Sequence, residues 1–403
     1  MSTTTSNVPA PSAAAAATPG AAPVAVPTRR EGYIDWMRGL AVVVMIFAHA
    51  VDSWVRADQR QSQAYFWFLV VAGMGAPMFL WLAGLSVPLA GHARMRRGAT
   101  LAEASRRLQV RGWQIFGLAM LFRLQAYVFS PGATLAGIFK VDILNVMGVS
   151  LVTAAWLWGR SRSSLARIVW AGAATVAVVV LSAPLRAWEW PALLPDPIEH
   201  YLRPQPGRTT FTLFPWMAFV PAGLMVGELL AVARAAATGG TIATAFERAA
   251  ATLRGMRLHL LLLATGLAVG VAAYWLSFRP TLVPGSQFWT TSPAFFFMRM
   301  GALVAVLGLL YVVVHERSPW QRATWPRSWS PMEQLGRTSL FVYWIHVEMA
   351  YGVISTPLHR NLSFESAVVA LMLFGLFLFA LVRLKDRLQW RPRRTGRLSP
   401  ATS

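Results

Sequence analysis

The 403-residue chain contains no cysteine. A thiol nucleophile, a thiolate metal site and a disulfide framework are therefore excluded, whichever compartment its loops face. Charge is scarce as well: Asp, Glu, Lys and Arg occupy 13% of positions, and only 16 residues are acidic against 37 that are basic. No soluble domain, strong repeat or Gly-rich phosphate loop is evident. The first 28 residues are mostly Ala, Pro, Ser and Thr without a charge and lack the basic start and unbroken apolar core of a signal peptide. They read as a disordered cytoplasmic tail over 1–30.

What fills the chain is apolar. Hydrophobic residues make up 56% of it, and the mean hydropathy is +0.48, well beyond soluble domains, where apolar usage including glycine is about half. A membrane-spanning helix needs roughly 20 mostly apolar residues to cross about 30 Å of hydrocarbon. Ten stretches fit, at 36–54, 65–90, 113–130, 141–158, 168–187, 211–233, 258–278, 294–314, 338–354 and 367–384. The expected fold is an all-α integral membrane protein of about ten transmembrane helices in one bundle over 31–386, followed by a basic tail at 387–403.

The net charge of +21 raises nucleic acid as a partner, but its distribution points elsewhere. Arginines concentrate in alternate loops and both tails, as in Arg94, Arg96, Arg97, Arg106, Arg107 and Arg111, while the intervening loops carry few. That is the positive-inside pattern, and it places both termini in the cytoplasm and the bilayer, not nucleic acid, as the partner.

The first apolar segment, IDWMRGLAVVVMIFAHAVDSW, is unusual in holding four ionisable residues. At about 100° per residue, Asp35, Arg38, His49 and Asp52 fall within an arc of about 100°, with His49 about 16 Å beyond Arg38 along the axis. An ionisable group at such depth is costly unless it faces the bundle interior or a water-filled cavity, so the seam is a candidate functional site.

The same segment resembles the first helix of the membrane acyltransferase superfamily, in which Arg or Lys is followed by His after ten further residues. More closely, YIDWMRGLAVVVMIFAHAVDSW with MFLWLAGLSVPLAG is similar to bacterial proteins carrying the heparan-alpha-glucosaminide N-acetyltransferase catalytic domain. VDILNVMGVSLV, FTLFPWMAFVPAGLMVGELL and LGRTSLFVYWIHVEMAYGV fit in order, so the resemblance runs from about residue 33 to 384. It implies an inner-membrane enzyme that moves an acetyl or other acyl group from cytoplasmic acyl-CoA to an amine or hydroxyl of a carbohydrate or envelope acceptor across the membrane. Lysosomal members carry the histidine in the loop beyond the first helix; here it lies within the helix.

That chemistry needs a base, an anchor for phosphates and an acceptor pocket. His49 is the candidate general base, with Asp52 as its orienting partner, and an acyl-histidine intermediate is the alternative route. Arg38, Arg96, Arg97 and Arg111 are candidates for the acyl-CoA phosphates through bidentate pairing. His346, with Ser339 and Tyr343 on one helical face, is a second candidate histidine, while Glu348 points away from that face. Arg123, Asp142, Asn145, Arg299 and Tyr343 fall at a similar outer depth and suggest a shared acceptor pocket. Plainer readings stand beside these: Arg123 and Arg299 would snorkel to headgroups, and Asp142 would pair with Lys140 or Arg123. No metal is expected. Rival classes are a ten-helix transporter of a small anion or lipid-linked sugar and an envelope scaffold; the sequence assigns no oligomeric state.

Overall fold

In hydrocarbon each backbone amide must find its partner within the protein, which favours helices wherever apolar residues run on. The computed structural model describes residues 31–129, 134–237, 245–315 and 330–389, and they are helical apart from connecting turns and two isolated bridges, Val55 with Leu362 and Val141 with Thr209. The tails expected at 1–30 and, beyond residue 389, at the C-terminus lie outside these residues.

Helix α1, Gly32–Trp54, runs through the middle of the bundle. Its Tyr33, Met37 and Ala41 belong to one buried apolar core, and its Val42, Met45, Ile46 and Ala50 belong to a second. A helix apolar on nearly all sides is a buried one. Around it lie α2 (Gln63–Ala72), α3 (Gly75–Met95), α4 (Leu101–Phe129), α5 (Ile143–Arg160), α6 (Ser164–Ala187) and the short α7 (Asp196–Leu202) and α8 (Leu213–Trp216). Next come α9 (Phe219–Ala237), α10 (Ala245–Leu276), α11 (Pro293–Leu310), α12 (Pro331–Arg337), α13 (Ser339–Tyr351) and α14 (Phe364–Gln389). The first core joins α1 to Trp81 and Leu85 of α3, Trp158 of α5, Leu224 of α9 and Leu303 of α11. The second joins it to Ala119 of α4, Val342 and Tyr343 of α13, and Leu371 and Phe374 of α14.

Eight stretches are long and apolar enough to cross a bilayer: Gly32–Trp54, Gln63–Met95, Ile143–Arg160, Ser164–Ala187, Leu213–Arg234, Arg254–Leu276, Pro293–Val314 and Phe364–Leu388. The protein is thus an all-α, multi-pass integral membrane protein. Two of the ten expected spans fall outside that set for different reasons. α4 has 29 residues, but its first half is charged and Gln114, Arg123 and Gln125 interrupt the apolar second half. α13 has 13 residues, about 20 Å at 1.5 Å per residue, too short to cross alone. The second expected span is also interrupted, by a turn at Gly73 and Met74 between α2 and α3.

Local signals fix several helix starts. Asp142 caps α5 by accepting from Leu144 N and Asn145 N at 3.0 and 3.4 Å, and Asn145 Oδ1 returns the favour to Asp142 N at 3.1 Å. This reciprocal box satisfies amides that the first helical turn leaves free. Ser62, Ser163 and Ser330 cap α2, α6 and α12 in the same manner with one bond each.

Candidate functional site

His49 and His346, 297 residues apart in sequence, meet at the join of α1 and α13. His49 Nδ1 lies 2.8 Å from His346 Nε2, with the two rings within 5° of parallel. His346 is fully buried, and its Nδ1 lies 2.8 Å from the Val342 carbonyl oxygen. A carbonyl only accepts, so the hydrogen of a neutral His346 resides on Nδ1 and its Nε2 accepts. His49 Nδ1 must then donate, which leaves His49 Nε2 with a free lone pair. Such a nitrogen is what a general base requires.

Two cavities adjoin His49. An inner one of about 280 Å³ is lined by Met45, Ala48, His49, Gly73, Phe79, Ile115, Met147, Leu340 and Tyr343, with Arg111 as its cation. An outer one of about 440 Å³ is lined by His49, Tyr343 and Tyr351 together with Asp52, Arg123, Lys140, Asp142 and Glu348. His49 and Tyr343, with Ile143 and Phe211, belong to both linings, so the imidazole stands in the wall between an apolar chamber and a charged one.

A third concavity, of about 620 Å³, lies where α3 turns into α4 and is lined by Arg94, Arg97 and Arg107 with Glu103. Thr100 N donates to the Glu103 carboxylate at 2.9 Å and Glu103 N donates to the Thr100 hydroxyl at 3.2 Å, a reciprocal cap of α4, and hydrogen bonding to the Thr100 backbone and side chain holds the Glu103 carboxyl below the usual range. Arg107, Arg111 and Ile115 are spaced by four along α4, so they share one face and lead about 12 Å from the basic concavity to the inner cavity.

The seam on α1 is present, but its members have separate partners. Arg38 donates to Asp35 at 2.7 Å and to Ser86 at 2.6 Å, and Asp35 also receives Arg337 of α12 at 3.4 Å. Arg38 lines neither cavity at His49, and of the arginines expected to hold phosphate Arg111 is the one that lines the inner cavity. Asp52 is likewise not the partner of His49. It accepts from Tyr351 at 2.9 Å and lies 3.6 Å from Arg60, and the hydrogen bond to the His49 ring is made with His346.

Of the other expected residues, Arg97 and Arg111 line the basic concavity and the inner cavity, whereas Arg96 is exposed and lines neither. Arg123 pairs with Asp142 at 2.6 Å, as expected of Asp142, and both line the outer cavity. Asn145 is buried and serves the cap of α5. Arg299 stacks on Phe295, 3.9 Å from the ring centroid, and lies outside both cavities. Glu348, expected to point away, lines the outer cavity with Lys140. A one-turn spacing rule does not capture a cavity that curls around the end of α13.

One buried polar node escaped sequence reasoning. Glu228 of α9, wholly inaccessible, accepts from His92, Trp158, Ser164 and Arg167 at 3.0, 3.0, 2.7 and 3.0 Å. Four donors from three helices satisfy a charge that would otherwise be prohibitive there. A lone Glu in an apolar run was the available signal. Among the described residues no group of three or more His, Asp or Glu is placed to hold a metal ion.

Fold and site together define a polytopic membrane protein with a histidine set between an apolar and a charged chamber. The family profile described as heparan-alpha-glucosaminide N-acetyltransferase, catalytic, matches residues 30–262, more than half of the chain, and the chain belongs to that family. The protein is accordingly a membrane acetyltransferase. The match takes in His49, Arg97, Arg111 and Arg123 and ends before His346 and Glu348. No curated protein matches the chain.

Proposed function

We propose that the protein transfers an acetyl or other acyl group from cytoplasmic acyl-CoA to an amine or hydroxyl of a sugar-type acceptor entering from the opposite side of the cell's inner membrane. The observation that carries this reading is the place of His49 in the wall shared by the two cavities. In this reading Arg94, Arg97 and Arg107 hold the phosphates of the donor, where bidentate guanidinium pairing is strong. Arg111 and the apolar lining beyond it admit the uncharged arm, and the thioester carbonyl comes up to His49. The outer cavity, polar and charged, receives a hydrated acceptor.

The step balances within these residues. His49 Nε2 takes the proton from the acceptor N–H or O–H as that atom bonds to the carbonyl carbon, and the C–S bond breaks. The sulfur leaves as thiolate and recovers the proton from His49, so the products are the acylated acceptor and the free thiol of CoA. Holding both reactants against one base contributes through orientation as much as through proton transfer.

Membranes containing the protein should pass label from acetyl-CoA to an amino sugar, and His49→Ala should reduce this by a factor on the order of 10² to 10⁴ while the protein still folds. Transfer unaffected by that substitution removes His49 from the reaction.

A further inference from the structure

Five charged side chains line the outer cavity: Asp52, Arg123, Lys140, Asp142 and Glu348. Three have partners within the protein. Arg123 and Asp142 are 2.6 Å apart, and Asp142 also caps α5. Asp52 is held by Tyr351 and lies 3.6 Å from Arg60. Lys140 and Glu348 pair neither with each other nor with any other described residue, although each is only partly exposed. Arg123 adds a third unused group, because its Nε is buried without an acceptor.

A half-buried charge without a counter-charge loses hydration and gains nothing in return. Two of opposite sign in one cavity make it complementary to a molecule that brings both missing charges. Lys140 is one of two lysines in the chain, and an ammonium with three rotatable donors suits an anion whose orientation varies. Burial pulls Lys140 below the usual lysine range, Arg123 adds to that, and Asp142 opposes it.

We propose that the acceptor is an amine that also carries an acidic group: its ammonium docks on Glu348, and its phosphate or carboxylate docks on Lys140 beside Arg123. This rests on the reading of the outer cavity as the acceptor chamber. It also completes the proton balance for an amine. The bound ammonium releases one proton to water; the second passes to His49 as the N–C bond forms and the C–S bond breaks, and then to the departing thiolate. An ammonium and a thioester thus give an amide, a thiol and one proton.

The test compares acetyl transfer by the purified full-length protein to glucosamine, glucosamine 6-phosphate and muramic acid. Either anionic amine should exceed glucosamine in kcat/KM by roughly tenfold, the scale of one charged hydrogen bond, and the better of the two identifies phosphate or carboxylate. Lys140→Gln should bring that ratio to about one, Lys140→Arg should keep it above one, and Lys140→Glu should invert it. Glu348→Gln should lower kcat/KM for every amine and leave the ratio between them unchanged. Equal kcat/KM for all three acceptors in the wild type, or a preference that survives Lys140→Gln in protein with an unaltered melting temperature, overturns the proposal. Absence of label on every acceptor is a different result and overturns the transferase reading beneath it.

Discussion

At the scale of single residues, the chemistry depends on which nitrogen of His49 is free. The hydrogen-bond series from His49 through His346 to the Val342 carbonyl leaves Nε2 unprotonated only while position 346 accepts. His346→Leu removes that acceptor, so kcat should fall by a factor on the order of 10², as when an imidazole base is left in the wrong tautomer or orientation. His346→Gln supplies a carbonyl in its place and should recover part of the loss, with KM for acyl-CoA unchanged in both variants. Steady-state kinetics on folded protein reads the split, and a rise in KM without a fall in kcat would assign His346 to donor binding instead. Arginines separate in a similar way. Arg107→Gln should raise KM for acyl-CoA roughly tenfold, the effect of one lost charged contact. Arg38→Gln strands Asp35 beside Arg337 and should lower the melting temperature while leaving that KM alone. Histidine and arginine were both legible as candidates, because ionisable residues stand out in an apolar run. The pairing of Arg123 with Asp142 was legible too, but the partner of His49 was not, since its contact with His346 spans 297 residues and no local period reports it.

At the scale of elements, small residues decide how closely the helices approach. A Cβ at Gly84 of α3 would overlap the Val220 carbonyl oxygen of α9, and one at Gly223 of α9 would overlap the Trp81 carbonyl oxygen of α3. Between membrane helices, where burial of apolar surface gives little, such close backbone packing is a main source of association. Gly223→Ala should therefore cost about 1–3 kcal/mol through overpacking, whereas Gly117→Ala, with nothing within 4 Å of the added carbon, should be neutral or gain up to about 1 kcal/mol from helix propensity. Thermal unfolding of detergent-solubilised protein measures both, and equal losses would mean that the α3 to α9 contact does not limit stability. Hydropathy located α1 and the long apolar helices well, because length and apolarity are local. It misjudged the stretch at 338–354, which ends as the 13-residue α13. Gly352 and the turn after it stop that helix, and the apolar residues just beyond, Val353 and Ile354, stand exposed.

At the scale of the whole molecule, the proposed reaction requires its two substrates to arrive from opposite sides. The basic concavity of Arg94, Arg97 and Arg107 sits at the end of α3, and the charged cavity of Lys140 and Glu348 lies beyond His49 toward the end of α1. Arginine density assigns the first to the cytoplasm by the positive-inside rule, so sidedness is an electrostatic inference with a direct test. The absence of cysteine supplies a clean background. Ala57, exposed in the turn after α1, and Ala99, in the turn before α4, are suited to single-cysteine substitution. Ala57→Cys should react with an impermeant maleimide in intact cells, and Ala99→Cys only after the membrane is opened. Reaction of both from one side would place the two chambers in the same compartment and remove transfer across the bilayer. Reaction with the sides exchanged would instead turn the basic concavity outward, where acyl-CoA is not supplied, and the donor would have to enter through the cavity that holds Lys140.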